Sequence, residues 1–165
     1  NCPEAHIKVA GISVLGVNGI KSRIKISAYG KYLRRLILKN RLEGKVRVLG
    51  NLSAEEMKRE YLSAQIFVCP SAVENSPNSV AEGQLLGVPV AASRTGGIPD
   101  VVKDGVSGLL FEKGNVHELA ACVSRILTDK QLAKELSASE RETAAKLYNG
   151  ENNYQKLIEI YQNIE

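Results

Sequence analysis

Short apolar runs alternate with amphipathic stretches along most of this chain. Residues 6–11 (HIKVAG), 46–50 (VRVLG), 65–69 (QIFVC), 88–92 (VPVAA) and 108–111 (GLLF) are apolar and too short for helices. Runs of this kind, closed by Gly or Pro, read as strands buried on both faces. Between them the period changes to that of a helix. Over 29–42, Tyr32, Leu33, Leu36 and Ile37 share one side, while Lys31, Arg34, Arg35 and Lys39 fall mostly on the other. Ser53-Ala54-Glu55-Glu56 is a capping box that opens a helix to about Ser63. A helix is expected over 77–86, with Ser76 as its cap, Pro77 in the first helical position and Gly87 as its stop. A short helix is expected over 99–103, followed by a turn at Asp104-Gly105.

Beyond the last strand the chain is helical. Asn115 caps a helix whose apolar positions are Val116, Leu119, Ala120, Val123, Ile126 and Leu127. A second helix covers about 130–148 and breaks at Asn149-Gly150; a third places Tyr154, Leu157, Ile158 and Tyr161 on one face. Residues 12–27, with Gly16, Asn18 and Gly19, keep no period and read as a long loop or insertion. Strands alternating with helices define an α/β fold, a doubly wound parallel sheet in three α/β/α layers. Ligands of such sheets bind beyond the carboxyl ends of the strands. Here those ends are Gly11 onward, 50–52, 70–76 and 93–97.

Composition narrows the function classes. At 165 residues the chain is expected to be one domain, 1–165. The net charge of +4 is modest, and most Lys and Arg are read as lying on helix faces with Glu nearby, a solvated surface. Aromatic residues make up only 5%, which argues against a base-stacking platform, so no nucleic-acid partner is expected. Cys2, Cys69 and Cys122 have neither metal-like nor disulfide-like spacing; the last two read as core residues of a protein from a reducing compartment. No apolar run approaches 18 residues. The chain begins Asn1-Cys2-Pro3 rather than with Met, as expected of a fragment of something longer.

The candidate chemistry lies in SAVENSPNSVAEGQLLGVPVAA, residues 71–92. Glu74 falls in the loop after one strand, and Glu82 falls inside the helix that follows. A helix start at the carboxyl end of a parallel strand is a ready site for a phosphate. Two carboxylates beside it suit hydroxyl groups. Phosphate together with several hydroxyls describes a nucleotide sugar.

These residues resemble a known family. Glu74, seven residues, then Glu82 resembles the E-x7-E signature of the retaining GT-B glycosyltransferases, glycosyltransferase family 4 (group 1). Val48-Leu49-Gly50, Pro70-Ser71 before Glu74, GQLLGVPVAAS (83–93) and GGIPDVVKDGVSGLL (96–110) are similar to further motifs of that family, in order, over roughly residues 44–128. The resemblance implies a Rossmann-like half of a GT-B fold, the C-terminal domain that binds a nucleoside-diphosphate sugar. It implies that Glu82 accepts hydrogen bonds from ribose hydroxyls, and that Glu74 faces the donor sugar near the anomeric centre as the catalytic residue. Asn75, Asn78, Ser79 and Val80 would offer backbone N–H groups to the sugar and diphosphate, and Leu52 would meet the base. No cofactor and no metal is implied. The partners implied are a nucleoside-diphosphate sugar donor and a saccharide or glycolipid acceptor, the latter held by a missing N-terminal domain. The full-length protein is expected in the cytoplasm, with peripheral attachment to the inner face of the membrane. The chain departs from the family where its E-G-F-G-L loop reads Glu74-Asn75-Ser76-Pro77-Asn78-Ser79, without the glycines. The Arg and Lys-Gly that neutralise the diphosphate would lie upstream of residue 1, and the acceptor domain is absent.

Other classes of protein fit these residues less closely. A glutamate pair at this spacing, without the flanking motifs, is ordinarily surface. The acid and base of a glycosidase fit less well, because both carboxylates are expected near solvent. A receiver domain needs acidic strand ends for Mg²⁺, whereas these strands end in Gly11, Gly50 and Pro70. Half of a nucleotide-sugar epimerase and a non-catalytic nucleotide-sugar-binding module are the alternatives that remain. Product analysis on the full-length protein separates them.

Overall fold

The computed structural model describes residues 4–11 and 28–164; the loop expected at 12–27 lies outside the described residues. The chain forms two compact units, divided between Glu60 and Tyr61. In the first unit β1 (Ile7–Ala10) pairs in parallel with β2 (Val46–Gly50), joined through α1 (Ala28–Lys39); α2 (Ala54–Ser63) follows and passes into the second unit at Tyr61. The capping box of α2 forms as expected: the Ser53 N–H and hydroxyl donate to Glu56 Oε2 at 2.8 and 2.7 Å, and the Glu56 N–H donates to Ser53 Oγ at 3.4 Å.

On α1, Gly30 is buried and Leu33, Leu36 and Ile37 are half-buried, whereas Tyr32 is exposed. The exposed side carries Lys31, Arg35 and Lys39 at successive turns, with Arg34 beside them. The expectation that cations stand near Glu fails here: α1 contains no acidic residue. Like charges four apart on a helix cost a few tenths of a kcal/mol per pair.

The second unit holds a parallel sheet in the order β3 (Phe67–Cys69), β4 (Val90–Ser93), β5 (Leu109–Phe111). Alternation along the strands divides the core in two. Val90, Ala92, Cys69 and Leu110 face α3 (Asn78–Leu86) and α4 (Ile98–Val101) through Val80 and Ile98. Ala91, Leu109 and Phe111 face α5 (Val116–Thr128) and α6 (Lys130–Leu147) through Cys122, Ile126 and Leu136. This unit is therefore an α/β/α sandwich of the expected class. β3 begins two residues later than its apolar run, at Phe67, whose N–H already bonds Pro89 O at 2.9 Å.

α7 (Gly150–Gln162) closes the described chain, capped by Asn149, whose side chain accepts from the Asn152 N–H at 3.0 Å. Its expected apolar face is not covered: Tyr154, Leu157 and Tyr161 are exposed and Ile158 is half-buried. Among the described residues no helix is long and apolar enough to cross a membrane.

One feature of α6 has no counterpart in the sequence reading. Ser137 Oγ donates to Gly87 O at 2.7 Å, Arg141 Nη2 donates to Leu86 O at 3.0 Å, and Glu140 Oε1 accepts from the Val90 N–H at 2.9 Å. Residues at i, i+3 and i+4 share a helix face, so one face of α6 grips the turn between α3 and β4. Glu140 is fully buried, and its Oε2 has no partner among the described residues. Burial pushes its pKa up to about 8, against the opposing effect of the Val90 hydrogen bond.

Candidate functional site

The parallel register of β3, β4 and β5 brings the loops 70–77 and 94–97 to one edge of the sheet. They are built against each other. Ser93 Oγ donates to Ser71 O at 2.6 Å, and Thr95 Oγ1 donates to Ala72 O at 3.4 Å. Gly96 has φ +52°, and a Cβ there would stand 1.6 Å from the Glu74 carbonyl oxygen; one on Gly97 would stand 2.5 Å from that of Asn75. At such positions a glycine is either a plain turn residue or a shaper of the neighbouring loop. The distances show that both shape it, because only a bare Cα lets the backbone of 74–75 come so close.

Glu74 is half-buried at the bend of the first loop. Its Oε2 accepts from Ser71 Oγ at 3.3 Å, and its Oε1 accepts from the Asn75 N–H at 3.2 Å. α3 then starts one residue later than expected. Pro77 takes the N-cap position with φ −79° and ψ 68°, and no side chain caps the helix. Ser76 is therefore not the cap; instead its carbonyl accepts from the Asn78 N–H at 2.9 Å. The Val80 and Ala81 N–H groups both donate to Pro77 O, at 2.9 and 3.0 Å. The Ser79 N–H makes no hydrogen bond to a described residue, and it stands in the first turn, at the positive end of the helix dipole. The Val80 side chain is fully buried in the core, so what Val80 offers to a ligand is its backbone. Asn75 and Asn78 are exposed and Ser79 is half-buried.

Glu82 lies on α3 one turn beyond Asn78 and is exposed. The opposite face of α3 is locked in place. Gln84 is fully buried, and its Nε2 donates to Val101 O at 3.0 Å and Ser107 O at 3.2 Å. The αL residue Gly87 ends the helix as expected, with φ +70°. Glu74, Asn75, Asn78, Ser79, Val80 and Glu82 thus occupy one loop and one helix start. Leu52 lies in the first unit, half-buried, two residues past β2.

Two residues of this neighbourhood escaped the sequence reading. Arg94 bridges Asp104 at 3.1 Å and Glu112 at 3.0 Å, tying loop 94–97 to the residues flanking β5. Tyr61, buried near the end of α2, donates its hydroxyl to Ser79 O at 2.9 Å. Burial, then the Glu82 carboxylate, hold its phenol above the ordinary value. The hint available in the sequence was a lone aromatic on the apolar side of a helix otherwise rich in Glu, Lys and Arg.

Residues 3–143 match the model of the family described as "Glycosyl transferases group 1", which covers most of the chain. The chain belongs to this family. Sulfoquinovosyl transferase SQD2 of Arabidopsis thaliana is 33% identical over 100 residues, 59% of this chain and 20% of that protein. D-inositol 3-phosphate glycosyltransferase of a Nocardioides species is 31% identical over 117 residues, 71% of this chain and 25% of its relative. Among solved structures, Anabaena Alr3699/HepE in complex with UDP superposes over 98% of this chain and 42% of its own, with TM-score 0.84 at 22% identity. The C-terminal domain of the group 1 protein LpcC from Francisella tularensis superposes over 87% of this chain and 86% of its own, with TM-score 0.72 at 16% identity. These likenesses establish the fold as the Rossmann-like half of a GT-B glycosyltransferase. This chain spans less than half the length of the curated relatives it matches.

Proposed function

We propose that this chain is the donor-binding part of a longer enzyme that transfers a sugar, with retention of anomeric configuration, from a nucleoside diphosphate to a saccharide or glycolipid. The observation that carries the reading is the placement of Glu74, a Ser79 N–H without a partner among the described residues, and Glu82 in the loop and helix that follow β3 at the carboxyl edge of a parallel sheet. The solved relatives that hold UDP or UDP-glucose share this fold, which supports the same ligand class here. The diphosphate lies at the start of α3, where the helix dipole contributes about 0.3–1 kcal/mol. Glu82 accepts from the ribose diol, an interaction strengthened by its charge. Glu74, held by Ser71 and Asn75, faces the sugar and stabilises charge at the anomeric centre as the bond to the diphosphate lengthens. The second domain brings the acceptor and excludes water.

Isothermal titration calorimetry with UDP and GDP tests the ribose role. Glu82→Gln is expected to weaken nucleotide binding by about 1.5–3 kcal/mol without a change in melting temperature. Equal affinities in wild type and variant would remove Glu82 from the site. Glu74→Gln, placed in the full-length enzyme, is expected to lower kcat while bare-nucleotide affinity stays within about twofold, because its interaction is made mainly in the transition state. Unchanged turnover with a raised donor KM would contradict that role.

A further inference from the structure

A buried residue near the end of α2 is hydrogen-bonded to the first turn of α3. Tyr61 is 4% exposed. Its ring meets Phe67 edge-on, with centroids 5.2 Å apart and planes at 66°. On another side the ring lies against the α3 backbone, close enough that a Cβ on Gly83 would touch its Cε1 at 3.6 Å. Its hydroxyl reaches the Ser79 carbonyl at 2.9 Å, and Ser79 precedes Glu82 by three residues, on the same helix face. The Glu82 carboxylate lies near enough to help raise the phenol's pKa, after burial.

We propose that Tyr61 is a positioning residue for Glu82, fixing the rotation of the first turns of α3 and the direction of the Glu82 carboxylate toward the ribose diol. The proposal rests on the reading of Glu82 as the ribose ligand. The aromatic ring supplies a rigid lever with few rotatable bonds. The phenol proton fixes its tip on the Ser79 carbonyl. An exposed glutamate on a solvated helix samples several rotamers, and holding it in one removes an ordering cost from the binding step. A bidentate acceptor for two adjacent hydroxyls gains most from being held, since both bonds require one orientation.

The experiment measures binding of UDP and of 2′,3′-dideoxy-UDP to the 165-residue chain by calorimetry, for wild type, Tyr61→Phe, Glu82→Gln and the double variant. Tyr61→Phe keeps the ring and its contacts with Phe67 and Gly83 and removes only the hydroxyl. Wild type is expected to prefer UDP at least tenfold. Tyr61→Phe is expected to cut that preference threefold or more, through the affinity for UDP and with that for dideoxy-UDP unchanged. In the Glu82→Gln background the same substitution is expected to have no effect on the ratio. A wild type that binds both nucleotides equally, or binds neither, overturns the ribose reading of Glu82 and this proposal with it. A wild type that discriminates while Tyr61→Phe discriminates equally well leaves the ribose reading standing and overturns the role of Tyr61. A Tyr61→Phe chain that loses both ligands in parallel, or fails to fold, makes the residue structural and also overturns it.

Discussion

Gly96→Ala is expected to lower the melting temperature of this chain by roughly 6–12 °C and to abolish measurable nucleotide-sugar binding. Two costs add. An alanine held at φ +52° carries about 1 kcal/mol of backbone strain. Its Cβ would also stand 1.6 Å from the Glu74 carbonyl oxygen, a backbone atom that moves only if the whole bend moves. Overpacking of this kind costs about 1–3 kcal/mol. A total of about 3 kcal/mol corresponds to the stated shift for a protein of this length. Relief of the clash displaces the bend that carries Glu74, which is why binding falls together with stability. Gly114→Ala is the control. Gly114 also has positive φ, +81°, but open space where its Cβ would go. Scanning calorimetry on the two variants separates the terms: Gly114→Ala should show only the backbone part. Equal, small shifts for both would mean that the approach of loop 94–97 to loop 70–77 is not a constraint.

The second large effect concerns pH. Glu140 has a folded-state pKa of about 8, raised from 4.5 by burial. The unfolded chain therefore gives up this proton near pH 4.5 while the folded chain keeps it to about pH 8. Stability associated with the neutral carboxyl is fully present below about pH 4.5, is lost progressively as pH rises to about 8, and is level above that. The loss across this window is on the order of 5 kcal/mol. Glu140→Gln keeps an oxygen for the Val90 N–H and removes the proton equilibrium. Wild type is expected to lose melting temperature from pH 5 to pH 8, and Glu140→Gln is expected to lose markedly less over the same range. Parallel profiles for the two proteins would show that Glu140 does not titrate as its burial implies.

Much of the fold can be read from local pattern. The apolar runs at 46–50 and 108–111, the capping box at Ser53 and the Asn115 cap are each decided within a few residues, and each appears where expected. The misses are non-local. Glu140 sits among Ser139, Arg141 and Glu142 and reads as surface, because the group that buries it, the Val90 N–H, lies 50 residues away. Val116 belongs to the apolar pattern of α5 and is exposed, while Cys122, read as a helical core residue, is buried. The start of α3 shifted because Ser76 enters a turn with Asn78 before the helix begins. The loop position of Glu74 and the helical position of Glu82 were legible from local pattern. Gly96 gained its role, and Tyr61 its position under α3, only through contacts between separate segments.

The grip of α6 on residues 86–90 also bears on synthesis. Each of the three hydrogen bonds joins positions 50 or 55 residues apart. At roughly 5–20 residues per second, the ribosome finishes the turn between α3 and β4 about 3–10 s before the helix face that secures it is made. Early in that interval β4 is held through neighbours already translated, and one of its edges awaits β5 until residues 109–111 are made. The nascent domain is therefore most vulnerable to mispairing and to chaperone capture while the segment from 91 to 141 is emerging, and the completion of α6 ends that window.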